Sequence, residues 1–158
     1  MNGEEPPVEA LVGSVLEGTY RIVTLLGAGG MGAVYEACQL RLNKRVAVKV
    51  MARELTENRE ALARFRQEAE VTSGIGHPHI VQVFDFGIMS SGDPFMVMEL
   101  LEGEDLEHRL RRVGSLSPSE TLHIIRQVAG ALAATQALGL FLRADSSTTN
   151  HVCAIRFE

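Results

Sequence analysis

The sequence predicts an α+β fold: a five-stranded antiparallel sheet with one packed helix, followed by a helical segment. Three patterns carry this expectation. Short alternating or continuously apolar runs fill most of residues 20–51, and one amphipathic helical pattern spans Asn58 to Ile75. Two more strand-like runs follow, after which the spacing turns helical behind a capping box. A chain of 158 residues has the length of one domain and can bury about 68–70% of its unfolded surface.

Met1 to Ala10, with two prolines and three glutamates, reads as a tail that does not pack, and the tail is drawn to residue 15. Tyr20 to Leu26 alternates and is rich in β-formers, Ala33 to Leu40 follows a glycine cluster, and Lys44 to Met51 is nearly all apolar, so three antiparallel strands are expected, with a tight turn at Asn43-Lys44. Between Asn58 and Ile75, Ala61, Leu62, Phe65, Ala69 and Thr72 recur at helical spacing, while Arg59, Glu60, Arg64, Arg66 and Glu70 fall on the other face. Gly74 and Gly76 end that helix. His77 to Phe86 is expected as a fourth strand, Ser90 to Pro94 as a turn, and Phe95 to Leu100 as a fifth strand. A short helix over Asp105 to Arg112 comes next. Ser117-Pro118-Ser119-Glu120 then forms a capping box with proline in first position, opening a helix to Leu138 with Gly139 as its cap. Leu122, Ile125, Ala129 and Leu132 mark one apolar face of that helix.

Composition narrows the function classes. A net charge of −5 argues against a nucleic-acid-binding surface, which is normally basic. Cys38 and Cys153 lie far apart with no C-x-x-C spacing, which suits a reducing compartment. The N-terminus is acidic and has no apolar leader pattern, and Val128 to Leu142 falls short of the roughly 18 residues needed to span a bilayer. A cytoplasmic protein with no membrane segment is therefore expected. His77 and His79 flank Pro78 without a carboxylate or cysteine nearby, a poor metal site.

The most informative stretch runs from Leu26 to Lys49: L-G-A-G-G-M-G-A-V-Y-E-A, eight residues, then V-A-V-K. Gly27, Gly29 and Gly32 form a G-x-G-x-x-G loop, whose missing Cβ atoms let backbone N–H groups approach an anion and permit positive φ. A dinucleotide-binding site would need a helix directly after the loop and an acidic residue about 20 positions on. Here Ala33 to Cys38 reads as a strand, and no acidic residue closes Val46 to Met51.

With Val34 after the last glycine and Lys49 ending V-A-V-K, the chain resembles the eukaryotic-type protein kinases, most closely bacterial serine/threonine kinases with a G-G-M-G loop. The resemblance implies a small-lobe fold and assigns parts. Lys49 would reach the α- and β-phosphates of ATP, with Glu68 paired to it. The loop Gly27, Ala28, Gly29, Gly30, Met31, Gly32 and Ala33 would cover the phosphates. Leu26, Val34 and Ala47 would sandwich the adenine and Met98 would be the gatekeeper. Glu99 carbonyl and Leu101 amide would bond the base, and Asp105 would accept from the ribose or cap a helix. The family uses ATP with Mg²⁺ and acts on protein substrates.

The match covers about Leu16 to Leu138 and fades after Gly139. The family continues with a pattern like H-R-D-L-K-P-E-N, then D-F-G and A-P-E. This chain has Leu140 to Asn150, in which Asp145 and Asn150 keep the five-residue spacing of the family's base and magnesium ligand but none of its surroundings. The spacing is read as coincidence, which leaves Asp145 a weak candidate. The resemblance divides the chain into a tail (1–15), a small lobe with hinge (16–101), the first large-lobe helices (102–139) and a divergent tail (140–158). Three readings stand: a truncated kinase domain inactive by itself, a pseudokinase-like nucleotide-binding or interaction module, or a gene remnant.

Overall fold

Alternation of buried and exposed side chains lays out six strands and four helices in the computed structural model, which describes residues 11–137. The order is β1 (Val15–Leu16), β2 (Tyr20–Gly29), β3 (Gly32–Gln39), β4 (Lys44–Met51), α1 (Arg53–Thr56), α2 (Arg59–Ser73), β5 (Val83–Ile88), β6 (Pro94–Met98), α3 (Leu106–Val113) and α4 (Pro118–Ala137). All six strands form one sheet in the order β1-β2-β3-β4-β6-β5, and every pairing is antiparallel. By contact the chain forms two units, residues 11–71 with 83–100 and residues 72–82 with 101–137.

The expected sheet of five strands has six. The extra one, β1, is two residues long and pairs Val15 with Arg21 and Leu16 with Tyr20 across a turn in which Glu17 and Gly18 take φ of 45° and 62°. Residues 11–15, grouped with the tail in the sequence reading, bond into the sheet: Gly13 N–H donates to Ile22 O at 2.9 Å and Ser14 O accepts from Ile22 N–H at 2.9 Å.

In the first unit the sheet carries two apolar layers. On one face, Tyr20, Ile22, Ala33, Tyr35, Ala37, Val46, Val48, Val50, Phe95 and Val97 form a buried cluster. The alternate residues of β4 and β6 face the other way, and Met51 and Met96 there pack with Phe65 and Ala69 of α2 and with Val83. Asn58 caps α2, its Oδ1 accepting from the amides of Glu60 and Ala61 at 3.0 and 3.1 Å. The outer face of α2 is laced by Arg64–Glu60 and Arg66–Glu70 pairs. The sheet also curls. Tyr20 on β2 donates its hydroxyl to Asp85 Oδ2 on β5 at 2.8 Å and sets its ring edge-on to Phe95, although three strands lie between β2 and β5 in the hydrogen-bonded order. Gly87 faces Phe95 so closely that a Cβ would sit 2.6 Å from the ring.

The expected strand from His77 to Phe86 begins later, at Val83. The His77 ring explains the delay: its Nδ1 accepts from the His79 amide, and His77 O accepts from the Ile80 amide at 3.1 Å, winding the segment into a turn. In the second unit α3 begins at Leu106, one residue later than expected, with Asp105 as its N-cap. The capping box before α4 forms in both directions, Ser117 N–H to Glu120 Oε2 at 3.0 Å and Glu120 N–H to Ser117 Oγ at 3.2 Å. Arg109 joins the two helices by bonding Glu104 and Glu120. Along α4, Ile124, Ala131 and Thr135 are buried, whereas Leu122, Ile125, Ala129 and Leu132 are exposed. The Gly139 cap lies outside the described residues.

Burial, reinforced by the Asp85 carboxylate, pushes the Tyr20 hydroxyl up to about 12. A folded-state value raised above the unfolded one gives stability that is full below about pH 10 and lost as pH rises towards 12. Tyr20→Phe is expected to cost about 1 kcal/mol at pH 7. It should also flatten the decline of unfolding free energy between pH 9.5 and 12 (a range set by the ordinary tyrosine value near 10), as measured by urea denaturation.

Candidate functional site

The glycine loop is a β-hairpin tip. Gly27 pairs with Val34, Ala28 with Ala33 and Gly29 with Gly32, leaving Gly30-Met31 as a two-residue turn. The glycines do different work. Gly32 sits at φ 133°, and a Cβ there would lie 2.0 Å from Val50 O, so only glycine allows the tip to seat on the end of β4. Met31 O accepts from Ala52 N–H at 3.1 Å and ties the tip down on the same side. Gly27 and Gly30 have nothing within 4 Å of the place a Cβ would take and do not use positive φ. Space is therefore open beside both, where a Cβ would otherwise project.

Lys49 lies on β4 opposite Val34 on β3 and Met96 on β6. Its residue is only 5% exposed, because β4 is covered by strands on both sides and Lys49 shares its face with Ala47 and Met51, both buried. From α2, Phe65 and Glu68 point at it one helical turn apart. Lys49 Nζ stands 5.6 Å from the Phe65 ring centroid and 3.8 Å from Glu68 Oε1. At that distance the pair is electrostatic rather than a short hydrogen bond. Burial pushes the Lys49 ammonium down, and Glu68 only partly restores it; burial likewise pushes the Glu68 carboxyl up against the pull of Lys49. For both groups burial is the larger cause of the shift.

The remaining expected residues fall as follows. Ala47 is buried and registers with Met98, which is half-buried at the end of β6. Val34 is half-buried and Leu26 is half-exposed. Thus the structure brings Lys49, Glu68, Val34, Ala47 and Met98 to one sheet face with its helix, next to the hairpin tip. Glu99 follows β6 in the first unit; Leu101 and Asp105 belong to the second. There the Asp105 carboxylate caps α3, accepting from the His108 amide at 2.8 Å and meeting His108 Nδ1 at 2.6 Å. The His108 amide, then its ring, hold Asp105 below the usual carboxylate range. Asp145 lies outside the described residues. Sequence reasoning missed the Phe65 ring beside Lys49, although its place one turn before Glu68 was the available signal.

The donors suit a phosphate-bearing ligand: a buried cation beside an open glycine backbone. They do not extend to a metal. Among the described residues no group of three or more His, Cys, Asp or Glu side chains could hold one.

Comparison with known proteins gives a consistent picture. The protein kinase domain family matches residues 20–143. Serine/threonine-protein kinase PknA of Mycobacterium tuberculosis is 42% identical over 136 residues, 84% of this chain and 32% of that protein. Serine/threonine-protein kinase pkn3 of Myxococcus xanthus is 36% identical over 138 residues, 87% of this chain and 25% of that protein. Among solved structures, the Mycobacterium tuberculosis PknI kinase domain superposes with a TM-score of 0.75 at 31% identity, covering 90% of this chain and 59% of that one. This chain therefore spans about a third or less of the length of these curated relatives.

The two glycines make a paired test. Gly32→Ala forces a clash with Val50 O and a strained φ, and is expected to cost about 1–3 kcal/mol or more. Gly30→Ala, with open space and no positive φ, should stay within about 0.5 kcal/mol of the parent in chemical denaturation.

Proposed function

The chain belongs to the protein kinase domain family, and we propose that it forms the ATP-binding part of a serine/threonine protein kinase. It is a partial kinase domain, so the activity of the whole protein and its protein substrates are part of this proposal. The observation that carries the reading is Lys49: an ammonium buried on a central strand, 3.8 Å from Glu68 Oε1, beside a hairpin tip whose Gly27 and Gly30 leave open space where a Cβ would stand.

In this reading Lys49 holds the α- and β-phosphates and Glu68 keeps the ammonium from swinging away. Gly27 to Ala33 cover the phosphates, and Leu26, Val34 and Ala47 supply the flat apolar surface a base needs. Met98, Glu99 and Leu101 are assigned to the adenine and Asp105 to the ribose. Because Asp105 already caps α3, a ribose hydroxyl would share that carboxylate with the His108 amide. When bound, ATP supplies the phosphoryl group that the family transfers to protein, with Mg²⁺ as its usual companion. Among the described residues no group of three or more His, Cys, Asp or Glu side chains could hold a metal ion, and residues 139–158 contain no H-R-D or D-F-G sequence. We accordingly propose that this chain binds nucleotide without transferring phosphate by itself.

Binding to the folded state alone stabilises it by about 2.7 kcal/mol at a hundredfold excess over Kd. ATP is expected to raise the thermal midpoint of the parent, and Lys49→Met to remove most of that rise. A folded parent whose midpoint stays fixed in millimolar ATP contradicts the proposal. In a radiolabelled-phosphate assay the chain should show no turnover near the roughly 1–100 per second of intact kinases.

A further inference from the structure

Phe65 has no part in the proposed nucleotide site, yet α2 brings it to Lys49 as it brings Glu68, one helical turn on. Three strands lay the floor beneath its ring. Lys49 on β4 registers with Met96 on β6, and Met96 registers with Phe86 on β5. Directly opposed residues of antiparallel strands share a face, so Lys49, Met96 and Phe86 form one row across the sheet. Lys49 is the charged member of that row.

Phe65 is fixed against the row from the helix side. Its ring stands 5.9 Å from the Phe86 ring at 53° and belongs to a buried cluster with Met51, Ala69, Val83 and Met96. Any large apolar side chain could fill such a space, but an aromatic one also presents a π face to the ammonium. Lys49 Nζ lies over the Phe65 ring, 5.6 Å from its centroid, within the roughly 6 Å reach of a cation–π contact. The negative face of a ring attracts a cation, and the attraction strengthens when both leave water. Here both have left it, Lys49 being 5% and Phe65 6% exposed.

The two α2 side chains therefore constrain the ammonium differently. The Glu68 side chain is 22% exposed and its carboxylate stands 3.8 Å away, longer than a short hydrogen bond. The ring is the better fixed of the two, buried and wedged against Phe86.

We propose that Phe65 is a positioning residue for the nucleotide phosphates: its ring holds the Lys49 ammonium by a cation–π contact in the place from which it meets them. The role rests on the nucleotide site proposed above and acts through Lys49.

The test uses two kinds of variant of the full chain. Phe65→Leu keeps an apolar side chain and removes the π face. Incorporating mono-, di- and pentafluorinated phenylalanine at position 65 keeps the outline of the ring and progressively drains its negative face, and this series carries the test if the leucine variant misfolds. Each protein is followed by the pH titration of the Lys49 side chain in NMR and by isothermal titration with ATP. Because the π face favours the charged lysine, its loss should move the Lys49 titration further down, in order of fluorination. ATP should bind about threefold to thirtyfold more weakly to Phe65→Leu and to the pentafluorinated protein. A ring that only filled space would behave otherwise: the smaller leucine would admit water and move Lys49 up, and fluorination would leave it unmoved. Either of those results, or unchanged ATP affinity in variants shown to be folded, would overturn the proposal. A folded parent that itself fails to bind ATP would overturn the nucleotide site and this role with it, a result distinct from a parent and variants that bind alike.

Discussion

Lys49 is a charged side chain in a place built for apolar ones. Strand β4 is buried over its last six residues, and five of them are Val, Ala or Met. Removing an ammonium from water costs several kcal/mol even after relaxation, and burial is the larger cause of the downward shift at Lys49 and of the upward shift at Glu68, 3.8 Å away. The fold holds this arrangement from both sides. Strands β3 and β6 flank β4, and α2 brings Phe65, Glu68 and Ala69 against the same face through a core shared with Met51 and Met96. The other face, closed by the Tyr20–Asp85 bond, keeps the sheet curled over its own valine and aromatic cluster. A buried charge with a shifted pKa is a feature that clusters at functional sites, which is why Lys49 anchors the proposed nucleotide site.

The hairpin tip follows the same division. Gly32 is required by packing against Val50, and that contact fixes where the tip ends relative to Lys49 along β4. Among the described residues nothing lies within 4 Å of a Cβ built on Gly27 or Gly30. A run of glycines that looks uniform in sequence therefore separates into one that anchors the tip and others beside which space is open.

Much of this was legible in the residues. The bounds of β4 follow from the apolar run Lys44 to Met51, and the start of α4 from its capping box, because both signals are local. Strand β1 was invisible, since two residues have no period. The start of β5 was misplaced because Ile80 and Val81 look like strand residues, whereas the His77 ring and carbonyl hold the segment as a turn. Lys49 and Glu68 could be paired from family resemblance alone, but the 3.8 Å separation and the dominance of burial are three-dimensional facts.

The proposal to be tested is that Lys49, a desolvated ammonium paired with Glu68, also receives the phosphates of ATP. The most direct measurement is the titration of its side chain by NMR on lysine-labelled protein, with Lys49→Met for assignment, in the absence and presence of ATP. The account predicts that Lys49 titrates below ordinary lysines in the free protein and moves back up when ATP is added. An ordinary lysine titration in the free protein, unchanged by ATP, would contradict it.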